Sequence, residues 1–536
     1  MEKTETTVVP PVGASSRRDF LKWGAAALAA PAAGTAALAS EASAPAAAGS
    51  GEITGWSAVQ LAQAIQSRGV SCVEVMQAYL AQIDAFNPRV NALVSLQARD
   101  GLLAQARERD EQLAAARAAG RGVGWMHGFP QAPKDLTSTA GIPTTMGSPI
   151  LKNNIPKTDS ILVERVRRSG AILIGKSNTP EFGLGSHTFN QVFGTTRNAF
   201  EPSLSAGGSS GGAAVALALD MLPVADGSDF MGSLRNPAGW NNVVGFRPSA
   251  GRVPFGPTNE VFIQQFGYEG PMGRSVADTA MLLSVIAGYD DRTPLSLTQD
   301  PAVFARPLNA DMKGKRVGWL GDYGGYLPME AGVLPTCERA LKHFEAVGCT
   351  VDAARPDFSM ERLWQTWLVV RGSMIAGGMG PLYADPKTRA LLKDSAIWEI
   401  ESGLRYSGME IFQASADRSA WYQALRKLFE RFDYLVLPSA QVFPFDAKMD
   451  WPKSIAGKTM DTYHRWMEVV TGPTLAGLPT LAVPAGFGPG GLPMGLQIMA
   501  RSQADLELLQ LGHAYEQAAG YRGKQSPLLP GSKAAA

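Results

Sequence analysis

The sequence predicts an α/β protein in which helices cover both faces of a β-sheet. Two observations support this fold class. From Ile161 onward, helical segments alternate with short apolar strands, and such alternation is typical of a sheet packed between helices. The chain has 536 residues with 45% hydrophobic content, which is enough for a large core. Because no internal repeat or Pro/Ser-rich break divides it, we expect a single domain.

The hydrophobic pattern places the elements in chain order. Apolar residues at helical spacing predict helices over 59–65 and 73–83, and a charged, Ala-rich helix covers 100–119. A short strand over 129–134 follows. The remaining predicted elements are helices over 161–169, 211–219 and 504–518, strands over 171–175, 221–225, 316–320, 434–437, 480–484 and 494–499, and a hairpin turn over 487–493.

Composition separates three parts of the chain. Residues 1–44 are expected to form an export signal and linker, residues 55–522 the domain, and residues 523–536 a C-terminal tail. Within the domain, the amphipathic segment of about 359–429 is expected to be a mostly helical insertion that caps the site. Substrate-defining residues are expected there, because loops and lids on a rigid scaffold usually set specificity.

The N-terminus has the order of a twin-arginine export signal. Arg17 and Arg18 precede a short Ala-rich apolar stretch, Trp23 to Leu38, which ends in small residues. Pro31 and Gly34 interrupt that stretch, so it is a poor membrane-spanning helix. The alternative is an unstructured tail with a chance Arg pair. The signal predicts a periplasmic or secreted protein.

The net charge and the spacing of possible metal ligands restrict the classes of partner that the chain can bind. The formal net charge is +1 with 18% charged residues, which gives no electrostatic footprint for nucleic acid or an anionic membrane. The three cysteines lack CxxC spacing and the five histidines lack HExxH spacing. We therefore expect a small near-neutral molecule as partner, with no metal or cofactor. The sequence leaves open whether the chain forms a homodimer.

Three polar residues in Gly- or Pro-rich segments are the candidate catalytic groups: Lys134 in HGFPQAPKD, Ser209 in AGGSSGG and Ser233 in DGSDFMGSLRNP. A serine nucleophile needs a base within hydrogen-bond reach, and none of the histidines has a clear claim to that role. A lysine serves only when neutral, so its pKa must fall from about 10.4 through burial or neighbouring donors.

The segment around Ser209 has three interpretations. A phosphate cradle is excluded because GxxxxGK[ST] is absent. A flexible linker fits poorly, since an apolar helix follows at once. A tight loop that places a hydroxyl between Lys134 and Ser233 fits best.

Ser233 lies in a sharp loop after a strand, where consecutive backbone N–H groups can stabilise a tetrahedral oxyanion. The alternative is an ordinary strand-to-helix turn in which Asp229 pairs with Arg235. Both interpretations can hold together, with the pair supporting the loop.

The mature chain, from about Trp56 to Ala519, resembles the amidase signature family. The supporting stretches are 91–94, 175–178, 181–182, 244–249 and 270–278, together with the two Gly/Ser segments. The resemblance implies a single-domain mixed sheet covered by helices, with Ser233 as nucleophile, Ser209 in a cis peptide as proton relay, and Lys134 as base. It also implies that backbone N–H groups of Phe230, Met231, Gly232 and Ser233 form the oxyanion site, where Ser210 is a further oxyanion or substrate-binding residue.

Two departures from the family pattern bear on the site. Met231 stands where a glycine is common, so Phe230 and Met231 are also candidates for an apolar acyl pocket. Gln131-Ala132-Pro133 replaces an aliphatic run before Lys134, and Pro donates no backbone hydrogen bond.

The predicted function is an exported amide hydrolase that forms an acyl-enzyme and acts on small, peptide or aryl amides. The same triad would also suit an esterase or carbamate hydrolase. A third alternative is a non-catalytic periplasmic binding protein on an amidase scaffold. The export signal argues against the family's cytoplasmic amidotransferase role.

Overall fold

A computed structural model describes residues 50–263 and 266–530 of the chain. The predicted export signal and the last six residues lie outside this range. Its centre is a sheet of eight strands, which are numbered here in chain order: β1 Ala225–Asp229, β2 Val244–Arg247, β3 Tyr268–Gly273, β4 Arg316–Trp319, β5 Thr350–Ala353, β6 Tyr434–Pro438, β7 Thr480–Phe487 and β8 Pro493–Met499.

The sheet is mixed, in the spatial order β5-β4-β6-β8-β7-β2-β3-β1. Strand β4 is parallel to both β5 and β6, and every other neighbouring pair is antiparallel. Strands β7 and β8 form the hairpin that the Gly/Pro-rich turn predicts. Helices flank the sheet, so the predicted fold class is confirmed.

The helices of the described chain are Ser50–Gly55, Ala58–Ser67, Cys72–Val90, Arg99–Ala118, Ile161–Arg168, Gly211–Ala218, Arg235–Trp240, Val276–Ile286, Val333–Ala346, Met360–Ala384, Pro386–Arg389, Asp394–Gly403, Gly408–Leu428, Thr471–Ala476 and Asp505–Ala519. Four of them occupy the segment 359–429. None of the helices in residues 50–263 and 266–530 is both long and apolar enough to span a bilayer.

One strand lies four residues away from its predicted position. The sequence favours a strand over 221–225, but residues 221–224 form a turn and β1 covers Ala225–Asp229. Pro223 has no N–H to donate to a sheet. The polar residues of β1 stay in the interior because buried partners satisfy Asp226 and Asp229. Hydropathy alone therefore misplaces this strand.

The described chain has one large hydrophobic core and a smaller cluster beside the site. In the smaller cluster, Leu184 packs with Ala376 and Met379 of the helix Met360–Ala384 and with Ile400 of the helix Asp394–Gly403. The helical segment therefore borders the loop that contains Leu184.

Candidate active site

Lys134 follows a very short strand and is buried completely. Pro130 and Gln131 form a parallel strand pair with Ile172 and Leu173. Beyond this pair, Lys134 forms one isolated β-bridge with Ser177. Its backbone N–H turns away from this pairing and donates to Asp226 Oδ2 at 3.0 Å. The side chain is 0% exposed. The fold thus holds the backbone of this lysine with a buried carboxylate.

The Lys134 amino group contacts hydroxyl and carbonyl oxygens. Nζ lies 2.7 Å from Ser209 Oγ, 2.9 Å from Ser210 Oγ, 3.0 Å from Ser228 Oγ and 3.3 Å from the Ser228 carbonyl. No described carboxylate forms a salt bridge with it. A neutral amine can donate two hydrogens here and accept one from a hydroxyl, so the surroundings suit the uncharged form.

Burial lowers the pKa of Lys134 to about 7. The carboxylates of Asp229, Asp226 and Glu269 oppose this shift, because an anion nearby favours the ammonium form. Burial is the larger effect. A substantial fraction of this lysine is therefore neutral near pH 7, which a general base requires.

Ser209 lies at the tight loop that the sequence predicts. The Gly208–Ser209 peptide bond is cis, as the resemblance implies. Ser210 follows, and the helix Gly211–Ala218 begins directly after it. A Cβ atom at Gly212 would lie 2.4 Å from the backbone nitrogen of Asn178. Only glycine therefore allows the loop to approach its neighbour this closely.

Ser233 lies in the loop between β1 and the helix Arg235–Trp240, and it is 6% exposed. The N–H of Ser210 donates to the Ser233 carbonyl at 3.2 Å, which joins the two serine loops. The preceding Gly232 has φ +80°, and a Cβ atom there would lie 2.8 Å from the side chain of Val470. The structure thus links Lys134 to Ser209 through side chains, and it links Ser233 to Ser210, the residue after Ser209, through the backbone.

Asp229 and Arg235 form a completely buried ion pair at 2.9 Å beneath the Ser233 loop. Arg235 also donates to the Thr474 hydroxyl and to Gln497 Oε1. Burial alone would raise the pKa of Asp229, but the charges and hydrogen bonds of Arg235 and Arg247 hold it well below its ordinary range. The carboxylate is therefore charged and ties the loop to the sheet.

One predicted oxyanion donor is engaged elsewhere. The N–H of Gly232 donates to Asp229 Oδ1 at 2.8 Å, so this structure directs that donor to the carboxylate, and the oxyanion role expected for Gly232 stays a prediction. The N–H groups of Phe230, Met231 and Ser233 have no hydrogen-bond acceptor within the described chain. These three are the donors that remain.

The side chains of Phe230 and Met231 face apolar surroundings. Met231 is 3% exposed. The Phe230 ring lies 5.8 Å from the Trp367 ring and 6.1 Å from the Phe266 ring, and the Arg371 guanidinium lies 5.2 Å from its centre. The Ser233 loop therefore packs against aromatic side chains through Phe230.

The site also includes buried polar side chains outside the predicted triad. Asp226 receives hydrogen bonds from both the Lys134 N–H and Gln131 Nε2, the latter at 3.1 Å. Glu269 accepts from a threonine hydroxyl, and burial raises its pKa to about 8. Burial likewise lowers the pKa of Lys176 to about 8. Asp226 and Lys176 lie in segments that carry the family resemblance, and Gln131 is a separate signal as a polar residue before Lys134.

The aromatic residues of the helical segment are divided between core and surface. Trp364, Trp367 and Trp421 are buried, and Trp421 Nε1 donates to the carbonyl of Gly472. Tyr383 is partly exposed and donates to Glu401. Of these four, Trp367 is the one in contact with the Ser233 loop, through Phe230.

A model of the Amidase protein family matches residues 74–509. The chain belongs to this family. It is 32% identical over 470 residues to an acylamidase of Rhodococcus erythropolis, in an alignment that covers 86% of the chain and 94% of that relative. It is 35% identical over 512 residues to a glutamyl-tRNA(Gln) amidotransferase protein of Acidothermus cellulolyticus, covering 88% of the chain and 95% of that relative.

The fold also matches solved structures of the family. A crystal structure of a bacterial aryl acylamidase superposes with a TM-score of 0.81 at 29% identity, covering 88% of this chain and 98% of that one. The prediction of an amidase-family, amide-hydrolysing enzyme is confirmed. Residues 15–34 match the twin-arginine translocation signal sequence, which indicates export across a membrane.

Proposed function

We propose that this amidase-family enzyme cleaves a carboxamide C–N bond through an acyl-enzyme on Ser233. The observation that supports this most directly is the 2.7 Å contact between the buried Lys134 Nζ and Ser209 Oγ. Ser233 Oγ attacks the amide carbon as its proton passes to Ser209, and the Ser209 proton passes to Lys134. The C–N bond then breaks, and the proton returns through Ser209 to the departing nitrogen. Water attacks the ester carbon by the same relay and releases the acid.

The N–H groups of Phe230, Met231 and Ser233 are the proposed donors to the oxyanion. Backbone donors of a loop that is already held in place need no reorganisation during the reaction. The buried Asp229–Arg235 pair supplies this rigidity. The contact of the Ser210 hydroxyl with Lys134 Nζ at 2.9 Å supports a role in positioning the base, beside the role expected for Ser210 at the oxyanion.

The proposed setting is the periplasm or the medium, with a small amide as the substrate and no nucleic acid, membrane or metal involved in the mature form. The export match supports this location. It also argues against a role like that of the amidotransferase relatives, whose names place them in tRNA metabolism. Whether the chain pairs with a second copy is a separate question, which sedimentation would answer.

Trapping the acyl-enzyme tests the proposal. Acid quench during turnover of an acetanilide substrate, followed by mass spectrometry, should show an acetyl group on Ser233. Ser233→Ala should lose both the adduct and turnover. Ser209→Ala and Lys134→Ala should each lower kcat by about 10²–10⁴-fold, because each removes the proton relay.

Ser177→Ala is a matched control for Ser209→Ala. Ser177 is equally buried, lies beside Lys134 in the backbone pairing, and its hydroxyl has no partner among the described residues. Loss of the Ser177 hydroxyl should leave kcat within about twofold of the wild-type value. An adduct on another residue, or full activity without Lys134, would exclude the proposed triad. Faster turnover of matched esters or carbamates than of amides would favour the esterase alternative.

A further inference from the structure

A cavity of about 360 Å³ begins at the loop after Glu181 and Phe182. Its wall includes Gly185 and Ser186 on one side, and Trp451 and Tyr463 on the other. The helix Asp394–Gly403 contributes its first residues to the rim. The helical segment and the loop around Trp451 thus enclose a space beside the serine loop.

Neither Ser209 nor Ser233 lines this cavity, but its wall contacts the residue before Ser209. Ser186 Oγ donates to the carbonyl of Gly208 at 2.6 Å, so the cavity wall contacts the peptide group that precedes the relay serine. A Cβ atom at Gly183 would lie 3.5 Å from Ser209 Oγ. Residues Gly183 to Ser186 therefore connect the surroundings of the Ser209 hydroxyl to the cavity wall.

The proposed reaction assigns this side of the site to the departing amine. Ser209 returns the proton to the leaving nitrogen, which must then lie within hydrogen-bond reach of its hydroxyl. A substituent on that nitrogen extends towards the cavity next to Ser209. The acyl part lies on the other side, near Phe230 of the nucleophile loop.

The lining of the cavity suits a neutral aromatic group. The rings of Phe189, Trp451, Tyr463 and Trp466 line it together with His187. Burial lowers the pKa of His187 to about 4, so its ring is neutral near pH 7. Aromatic rings prefer tilted or offset contacts with one another, which favours a ring as ligand.

The charged residues at the cavity balance one another. Lys393 and Lys453 line it together with Asp394 and Asp450. Lys393 Nζ donates to the Leu184 carbonyl at 2.6 Å and is held against the wall. Lys453 Nζ lies 3.4 Å from the centre of the Trp451 ring and covers one of its faces. The lining therefore selects neither an anionic nor a cationic substituent.

We propose that this cavity binds an aromatic amine portion of the substrate, so that the enzyme releases an arylamine rather than ammonia. This inference rests on the proposed function. An apolar cavity of about 150 Å³ holds benzene, so about 360 Å³ has room for one ring with a substituent. Ammonia would leave this space unused.

The test compares amides that share an acetyl group and differ in the amine. Acetanilide should exceed acetamide in kcat/KM by at least about tenfold. Trp451→Ala should lower kcat/KM for acetanilide by about tenfold, because it removes an aromatic contact with the ring, and leave acetamide within about twofold. Trp451→Phe keeps a ring and should retain most of the acetanilide activity.

Phe255→Ala is the matched control, because Phe255 is an exposed aromatic residue at a different cavity. It should change the turnover of neither substrate. Aniline should inhibit the wild type competitively and Trp451→Ala more weakly. Equal losses for both amides in Trp451→Ala, or acetamide turnover equal to that of acetanilide, would refute the aromatic amine site while leaving the hydrolase intact. Absence of any amide turnover and of any Ser233 adduct would refute the proposed function itself.

Discussion

Acidification should inactivate the enzyme through protonation of Lys134. Burial lowers the pKa of this lysine to about 7, and only its neutral form accepts the proton from Ser209. With one titrating base, the neutral fraction is about 0.9 at pH 8 and about 0.1 at pH 6. We therefore expect kcat/KM to fall about tenfold between these pH values, with a slope approaching one below pH 6.

A second buried group makes the upper part of this curve shallower. Burial and the nearby charge of Asp226 raise the pKa of Glu269 to about 8. When Glu269 loses its proton, its new negative charge raises the pKa of Lys134. The measured midpoint then belongs to the coupled groups rather than to Lys134 alone.

The assay is kcat/KM for acetanilide from pH 5 to pH 9 at constant ionic strength. Circular dichroism at each pH shows that the loss reflects protonation rather than unfolding. Ser177→Ala should follow the wild-type curve. A flat profile between pH 6 and pH 8, or activity that rises as the pH falls, would refute the assignment of neutral Lys134 as base.

Three further perturbations test the surroundings of the triad. Asp226→Asn removes a carboxylate that favours the Lys134 ammonium, so the midpoint of the same pH profile should move to lower pH. Asp229→Asn leaves the buried guanidinium of Arg235 without its anion and should reduce the free energy of unfolding in urea by about 3–5 kcal/mol. Gly232→Ala meets both a φ of +80° and a closely packed side chain, so kcat should fall while the KM changes little. An unshifted midpoint, an unchanged urea transition or an unchanged kcat would contradict the respective argument.

The alternation of elements predicts the fold class, and the Gly/Pro-rich turn predicts the β7–β8 hairpin. The family resemblance, together with the tight Gly/Ser loop, predicts the contact between Lys134 and Ser209. Periodicity failed at β1, since Asp226 and Asp229 lie in the interior and look like loop residues in a hydropathy pattern. Their partners are distant along the chain: Asp226 lies 92 residues from Lys134. Such pairings have no local signal.

The occupied N–H of Gly232 shows a second limit of sequence reasoning. A Gly-rich loop predicts several backbone N–H donors. Which of them face the substrate depends on which ones donate instead to a nearby acidic side chain. Asp229 Oδ1 takes the Gly232 donor and Oδ2 takes the N–H of Leu234. This choice depends on Arg235, which fixes the carboxylate from the other side.

Around Lys134, the residues that carry negative charge are different from the residues that contact its amine. Ser209, Ser210 and Ser228 surround its amine with neutral oxygens, so the neutral form has partners and needs no counter-ion. Asp226 instead holds the backbone of Lys134. A carboxylate in direct contact with Nζ would stabilise the ammonium form and raise its pKa. In the proposed reaction the amine is usable near neutral pH because Asp226 binds the lysine backbone and Asp229 binds Arg235. Among the described residues, the amine itself contacts hydroxyl and carbonyl groups.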